Sequence, residues 1–182
     1  LAPKSQQRDL IIIVGSAASD VRILLGPPDG ERRVWLKYMK LFNVRTGRIE
    51  EVEKIVKTDE DWRKILTPEQ FEITRKGRTE APFSKTCPIP PGGKSGFYQC
   101  VCCGTDLFRY ETKFESGTGW PSFFEPVSEL NIKLNIDKRY GMTRTEVICA
   151  RCGAHLGHVF DDGPLPTGKR YCINTVALKL AA

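Results

Sequence analysis

The chain predicts a mainly β fold with a few N-terminal helices. From Phe97 onward, short β-type runs alternate with glycine-, proline- and asparagine-bearing turns, the pattern of many short strands. Upstream of them, "KTDEDWRKILTPEQ" carries two helix start signals. Two C-x-x-C-G units, "CVCCG" and "CARCG", add the spacing of a metal knuckle at two places within the β region.

The 182 residues suit one domain, or one domain with an appendage. Apolar residues make up 40% and charged residues 27%, which is ordinary for a globular chain that buries a core. Lysine and arginine outnumber aspartate and glutamate by 28 to 22, and they are scattered rather than gathered in a run. This balance does not call for a nucleic-acid partner. "LIIIV" is too short an apolar run to span a bilayer. The chain opens on Leu1, so a processed product or a fragment is expected. The compartment stays open: the cytoplasm is favoured, and export or an organelle is compatible with that start.

In chain order, residues 1–8 are polar. "DLIIIV", "DVRILLG" and "RRVWLKYMKLFNV" read as short strands broken by "GPPDG". "LFNVRTGRIEEVEKIV" reads as a hairpin turning near Thr46 and Gly47. Thr58 or Asp59 caps a first helix, and "TPEQ" is a capping box with proline at the first helical position. "APFSKTCPIPPGGKSG" is loop. The strand candidates after it are "GFYQCV", "DLFRYETKF", "IKLNIDKRYG", "TRTEVICA", "HVFDD" and "KRYCINTVALKL".

Seven cysteines cannot all pair. Cys100, Cys103, Cys149 and Cys152 supply four thiolates for a tetrahedral structural zinc, and Gly104 and Gly153 follow each pair where a knuckle turns. Two redox dithiols or merely buried cysteines are the competing readings, and a redox motif rarely comes twice in one small domain. Cys172 has no such partner. On a strand, alternation places Arg170, Cys172 and Asn174 on one face and Tyr171, Ile173 and Thr175 on the other. Arg170 and Lys169 favour the thiolate, the nucleophilic form, although an inert structural cysteine would fit the same residues. The two histidines of the chain, His155 and His158, fall three apart in "AHLGHVFDDGP", where a turn can bring them to one side. They can move protons around a thiol, ligate metal, or sit in the core. Trp120, in "GTGWPSFFEPV", is either core or the aromatic wall of a small pocket.

Taken in order, "YQCVCCGTDLF", "SGTGWPSFFEPV", "CARCGAHLGHVFDDGP" and "PTGKRYCINTVAL" resemble the methionine sulfoxide reductase B family. "LTPEQFEITRKGRTEAPF" is similar to that family's N-terminal segment, so the likeness runs from about Thr58 to Leu180. It implies two small antiparallel sheets with a structural zinc away from the active site, and no organic cofactor. It also implies reduction of the R epimer of methionine sulfoxide in oxidised proteins by a monomer, recycled by thioredoxin or a similar dithiol. By this likeness residues 58–182 form the reductase domain and residues 1–57 an N-terminal extension or β-rich arm. Cys172 matches the nucleophile, Trp120 the wall that receives the substrate methyl, and His155 and His158 the active-site histidines. Asn174 and Arg170 match the polar residues flanking the nucleophile, and Asp162 an acidic position supporting them. Many family members carry a resolving cysteine where this chain has Thr118. Cys87, in its proline- and glycine-rich loop, is expected to be exposed and to take over that role through a Cys87–Cys172 disulfide, with Cys102 or an external thiol as alternatives. A zinc-ribbon binding module for nucleic acid or protein is the competing function, as is a thiol-based metal store. Neither needs Cys172 together with "HLGH" and "GTGWPSF".

Overall fold

A computed structural model of the chain describes residues 38–93 and 95–181. The strands expected over "DLIIIV" and "DVRILLG", and the start of "RRVWLKYMKLFNV", lie outside these residues. The described part is mainly β, with two α-helices, as the residue pattern implies.

The hairpin expected around Thr46 and Gly47 is present as β1 (Tyr38–Asn43) and β2 (Arg48–Glu53). Asn43 shapes its turn, its side-chain oxygen accepting from the backbone N–H groups of Arg45 and Thr46. Helices α1 (Asp59–Ile65) and α2 (Pro68–Lys76) follow. Thr58 caps the first, accepting from the Asp61 amide. Thr67 and Gln70 close a reciprocal capping box on the second, with Pro68 at its start. Trp62 and Phe71 turn from these helices into the core.

Two antiparallel sheets form the body. One is three-stranded, in the order β11 (Leu178–Ala181), β3 (Phe97–Cys100), β4 (Asp106–Arg109). The other has six strands, in the order β5 (Lys113–Phe114), β6 (Ser122–Phe123), β10 (Arg170–Ile173), β9 (His155–Phe160), β8 (Arg144–Cys149), β7 (Ile132–Asp137). Alternation supplies the core between them. Tyr98, Leu107 and Phe108 come from one sheet and Phe123, Val147, Leu156, Tyr171 and Ile173 from the other. The Phe108 and Phe123 rings stack with centroids 4.5 Å apart.

The β1–β2 hairpin is fastened to this body by one buried amide. Asn131, with no exposed surface, accepts from the Phe42 amide at 2.8 Å. Its NH₂ group donates to the carbonyls of Phe42 at 2.8 Å and Asp106 at 2.7 Å. Asn131→Ala would strand those backbone groups away from water, and each lost bond and orphaned group costs about 1–3 kcal/mol. We expect a loss of about 2–4 kcal/mol in urea unfolding and faster proteolysis within the hairpin. A midpoint unchanged from wild type would show that the hairpin is held by other contacts.

Candidate active site

The three-stranded sheet and the six-stranded sheet each contribute one knuckle. After β3 the chain turns so that the Gly104 amide donates to the Cys100 carbonyl at 2.8 Å. After β8 the Gly153 amide donates to the Cys149 carbonyl at 2.9 Å. Both glycines lie at positive φ, +74° and +68°, which a side chain would strain. The turns bring Cys100, Cys103, Cys149 and Cys152 together, with the four sulfurs within 4.8 Å of one another and no disulfide formed. Cys100 to Cys152 is 3.7 Å and Cys103 to Cys149 is 3.6 Å. Four thiolates at about 2.3 Å from one tetrahedral ion would stand about 3.8 Å apart. The donor set and its spacing therefore fit a metal. Cys102 is turned instead toward Thr74, its thiol 3.3 Å from that hydroxyl.

Cys172 lies on β10, opposite His158 on β9 and Ser122 on β6. Tyr171 and Ile173 are buried beneath it, so the alternation read from the sequence holds over this strand. The strand ends at Ile173, and Asn174 follows it as a buried residue. The Asn174 amide group donates to the Leu156 carbonyl, and its oxygen accepts from the Glu80 amide. A cavity of about 100 Å³ opens over Cys172, lined by Thr79, Trp120, Arg144, Gly157, His158, Phe160, Cys172 and Asn174. This is well below the roughly 300–1,000 Å³ of drug-sized ligand sites. It suits a side-chain tip.

His155 and His158 share a face because β9 bulges, and no turn separates them. Val147 pairs with Gly157 and Ile148 with His155, so Leu156 is the extra residue that resets the alternation. The rings meet edge to face with centroids 5.4 Å apart. Each ring is tied to a carboxylate. His155 Nδ1 is 2.6 Å from Glu146 Oε1, and His158 Nε2 is 2.8 Å from Asp137 Oδ2. His158 lines the cavity and His155 sits behind it, almost wholly buried. Burial lowers the pKa of both imidazoles, against the pull of their carboxylates.

The Cys172 thiol is pushed up by burial, while the Arg170 guanidinium and the Thr118 hydroxyl act on the sulfur in the opposite sense. Arg170 is held by a two-pronged pair with Asp162, at 2.8 Å for each contact, and lies over the Phe160 ring. Asp162 thus reaches the site through Arg170. Trp120 donates its indole N–H to the Glu80 carbonyl at 3.1 Å, which fixes the ring as a cavity wall. The Glu80 carboxylate in turn accepts from the amides of Thr175 and Val176, so residues 79–80 are tied to the end of β10.

Cys87 differs from expectation. Its loop is exposed on both sides, but Cys87 itself is half-buried and packs against the core, and burial raises its thiol pKa. The Tyr98 hydroxyl, pinned to the Pro88 carbonyl at 2.8 Å, helps form this seat. Sequence reading did not reach Asp137, Glu146, Arg144, Thr79, Glu80 or Phe160. The alternating acid and base residues of "NIDKRYG" and "TRTEV" were the available signal.

A SelR domain model matches residues 66–182. The chain is 54% identical over 125 residues to the peptide methionine sulfoxide reductase MsrB of Methanosarcina mazei, covering 69% of this chain and 88% of that protein. It is 53% identical over 130 residues to the MsrB of Herminiimonas arsenicoxydans, covering 71% and 93%. With the MsrB of Pseudomonas fluorescens the identity is 52% over 130 residues, covering 71% and 98%. Together with the cysteine, histidine and tryptophan that meet at one small cavity, these matches show that the chain belongs to the peptide methionine sulfoxide reductase MsrB family.

Proposed function

We infer that the chain is a peptide-methionine (R)-S-oxide reductase acting mainly on oxidised proteins, with Cys172 as its nucleophile. The observation that carries this reading is the juxtaposition of Cys172 and His158 across paired strands, under a cavity walled by Trp120 and Phe160. A methyl sulfoxide has an apolar end and a polar oxygen. The aromatic rings suit the first, and His158, Arg144 and Asn174 supply polar groups toward the second.

A sulfoxide is a poor oxidant until its oxygen receives a proton. Neutral His158 accepts the Cys172 proton, and the thiolate gives two electrons to the sulfoxide. The S–O bond of the substrate breaks, the oxygen passes to Cys172, and the proton returns to that oxygen. The products are methionine and a Cys172 sulfenic acid. Arg170, steadied by Asp162, stabilises the transient thiolate.

Recycling needs a second thiol. Thr118 acts on the Cys172 sulfur and offers only a hydroxyl. We assign the resolving role to Cys87, which condenses with the sulfenic acid to a Cys87–Cys172 disulfide and water, after which thioredoxin or a similar dithiol reduces the bond. Leaving the seat against Tyr98 removes the burial that raises the Cys87 pKa, so reach and reactivity arrive together. The four-cysteine cluster holds one structural zinc, whose chemistry is to bind four thiolates and close the two knuckles.

Three measurements test this reading. Cys172→Ser should keep its fold and lose turnover of the R epimer, and substantial residual turnover would sink the assignment. Gently purified protein should contain one zinc per chain, and Cys149→Ser should lose several kcal/mol of stability (about 3 or more). Metal-free protein that melts like wild type would contradict the zinc assignment. Cys87→Ser should still release one methionine per chain from methionine sulfoxide but lose thioredoxin-supported turnover. If thioredoxin drives it as fast as wild type, another thiol resolves Cys172.

A further inference from the structure

Five polar contacts converge on one buried carboxylate behind the cavity. Asp137, 5% exposed at the end of β7, accepts from the Arg139 amide at 2.9 Å, Arg139 Nε at 2.8 Å and Arg139 Nη2 at 3.2 Å. It also accepts from Arg144 Nη2 at 3.0 Å and His158 Nε2 at 2.8 Å. Arg139 holds the cluster to the rest of the fold, donating to the Gly77 carbonyl beyond α2 and lying 3.4 Å from Glu146. Hydrogen bonds from Arg139 hold the Asp137 carboxyl well below the usual carboxylate range. An ionised carboxylate cannot donate, so the proton in the Asp137–His158 contact sits on His158 Nε2. Nδ1 is then the remaining ring nitrogen. It has no protein partner among the described residues, and it is not among the sealed polar atoms, as His155 Nε2 is. His158 itself lines the cavity over Cys172.

We propose that Asp137 is a positioning residue for the reductase reaction: it fixes His158 as the Nε2–H tautomer, so that Nδ1 is the atom that takes the Cys172 proton and returns it to the sulfoxide oxygen. The inference rests on the functional reading above. Asp137 touches neither substrate nor Cys172 in this account, and it acts through the imidazole alone. Its negative charge also favours the imidazolium formed when the proton arrives. The logic is that of a buried aspartate behind a catalytic histidine, where replacing the carboxylate by an amide costs about 10⁴ in kcat through the wrong tautomer.

The charged groups facing His158 give the sign of the pH dependence. Asp137 on β7 and Glu146 on β8 favour the imidazolium, whereas Arg144 on β8 opposes it. Arg139 lies beyond the two carboxylates, His155 is the neighbouring ring on β9, and Cys172 faces it from β10. Burial outweighs the carboxylates, so the His158 pKa lies below its ordinary 6.5, while that of Cys172 lies above its ordinary 9.0. Between those limits the thiol carries the proton and the imidazole is ready to accept it. The rate falls when acid protonates His158 and falls again when alkali removes the thiol proton. Removing the Asp137 charge lowers the His158 pKa further, so the acidic limb of the profile moves to lower pH.

The test uses the full-length, reduced, metal-containing protein. Because the chain has only two histidines, long-range proton–nitrogen NMR reads each ring directly. In wild type, neutral His158 should show a protonated Nε2 and a bare Nδ1. Asp137→Asn should lose that tautomer preference, lower kcat for the R epimer by about 10²–10⁴, leave KM within about threefold, and shift the acidic limb downward. Asp137→Glu should recover part of the rate. A wild-type His158 carrying its neutral proton on Nδ1 overturns the proposal. So does Asp137→Asn with kcat near wild type, or with a weakened fold and an unmoved acidic limb. Should Asp137→Asn not fold, the wild-type spectrum decides alone. If wild type reduces no methionine sulfoxide, the reductase reading fails, and the spectrum still reports separately whether Asp137 fixes the ring.

Discussion

A Cβ placed on Gly157 would stand 2.1 Å from the Cys172 carbonyl oxygen and 2.9 Å from the Ile173 Cα. The backbones of β9 and β10 approach closely there, and no larger residue fits without pushing them apart. This contact sets Cys172 opposite His158 and lets the cavity open between them. It also lies beside the bulge in β9 that turns His155 and His158 to one face. Facing residues on paired antiparallel strands stand about 4.5–5.5 Å apart at Cβ. The thiol and the imidazole are therefore placed by rigid backbone pairing, without a mobile loop between them.

The electrostatics around that pair are divided by direction. On one flank the Arg170–Asp162 pair lies at the partly exposed edge of β10, where the guanidinium pulls the Cys172 thiol pKa down and the Asp162 carboxylate pulls it up. On the other, Glu146 is hydrogen-bonded to His155 and Asp137 to His158, and each carboxylate favours the charged form of its imidazole. At rest burial dominates both, keeping the thiol protonated and the imidazole neutral.

Much of this was legible in the sequence, and the reason differs by element. The knuckles were readable because both ligands of each pair lie within one turn. The helix starts were readable because capping is a local exchange between Thr67 and Gln70, three residues apart. The polar and apolar faces of β10 followed from alternation over four residues. Asp137 and Glu146 were not legible, since acidic residues on β strands ordinarily read as solvent face. Only the pairing of β7, β8 and β9 buries them against histidines, with Asp137 lying 21 positions from His158. The bulge at Leu156 was equally hidden, because a one-residue excess is defined by the partner strand. Cys87 was read as exposed from the prolines and glycines around it, whereas it packs against the core and interacts with Tyr98, eleven residues on and on another element.

The four-cysteine cluster bears on more than its own turns. Cys100 ends β3 in one sheet, and Cys149 ends β8 in the other. An ion held by all four sulfurs would cross-link the two sheets at a point where the described chain has no disulfide. It would also fix the end of β8, the strand that carries Glu146 and Arg144 toward the active site. Thiolates committed to a metal would be weaker nucleophiles, which would set these four sulfurs apart from the Cys172 thiol at the cavity. Cys102, set between Cys100 and Cys103 in the chain, is aimed at Thr74 and lies outside the four-sulfur cluster.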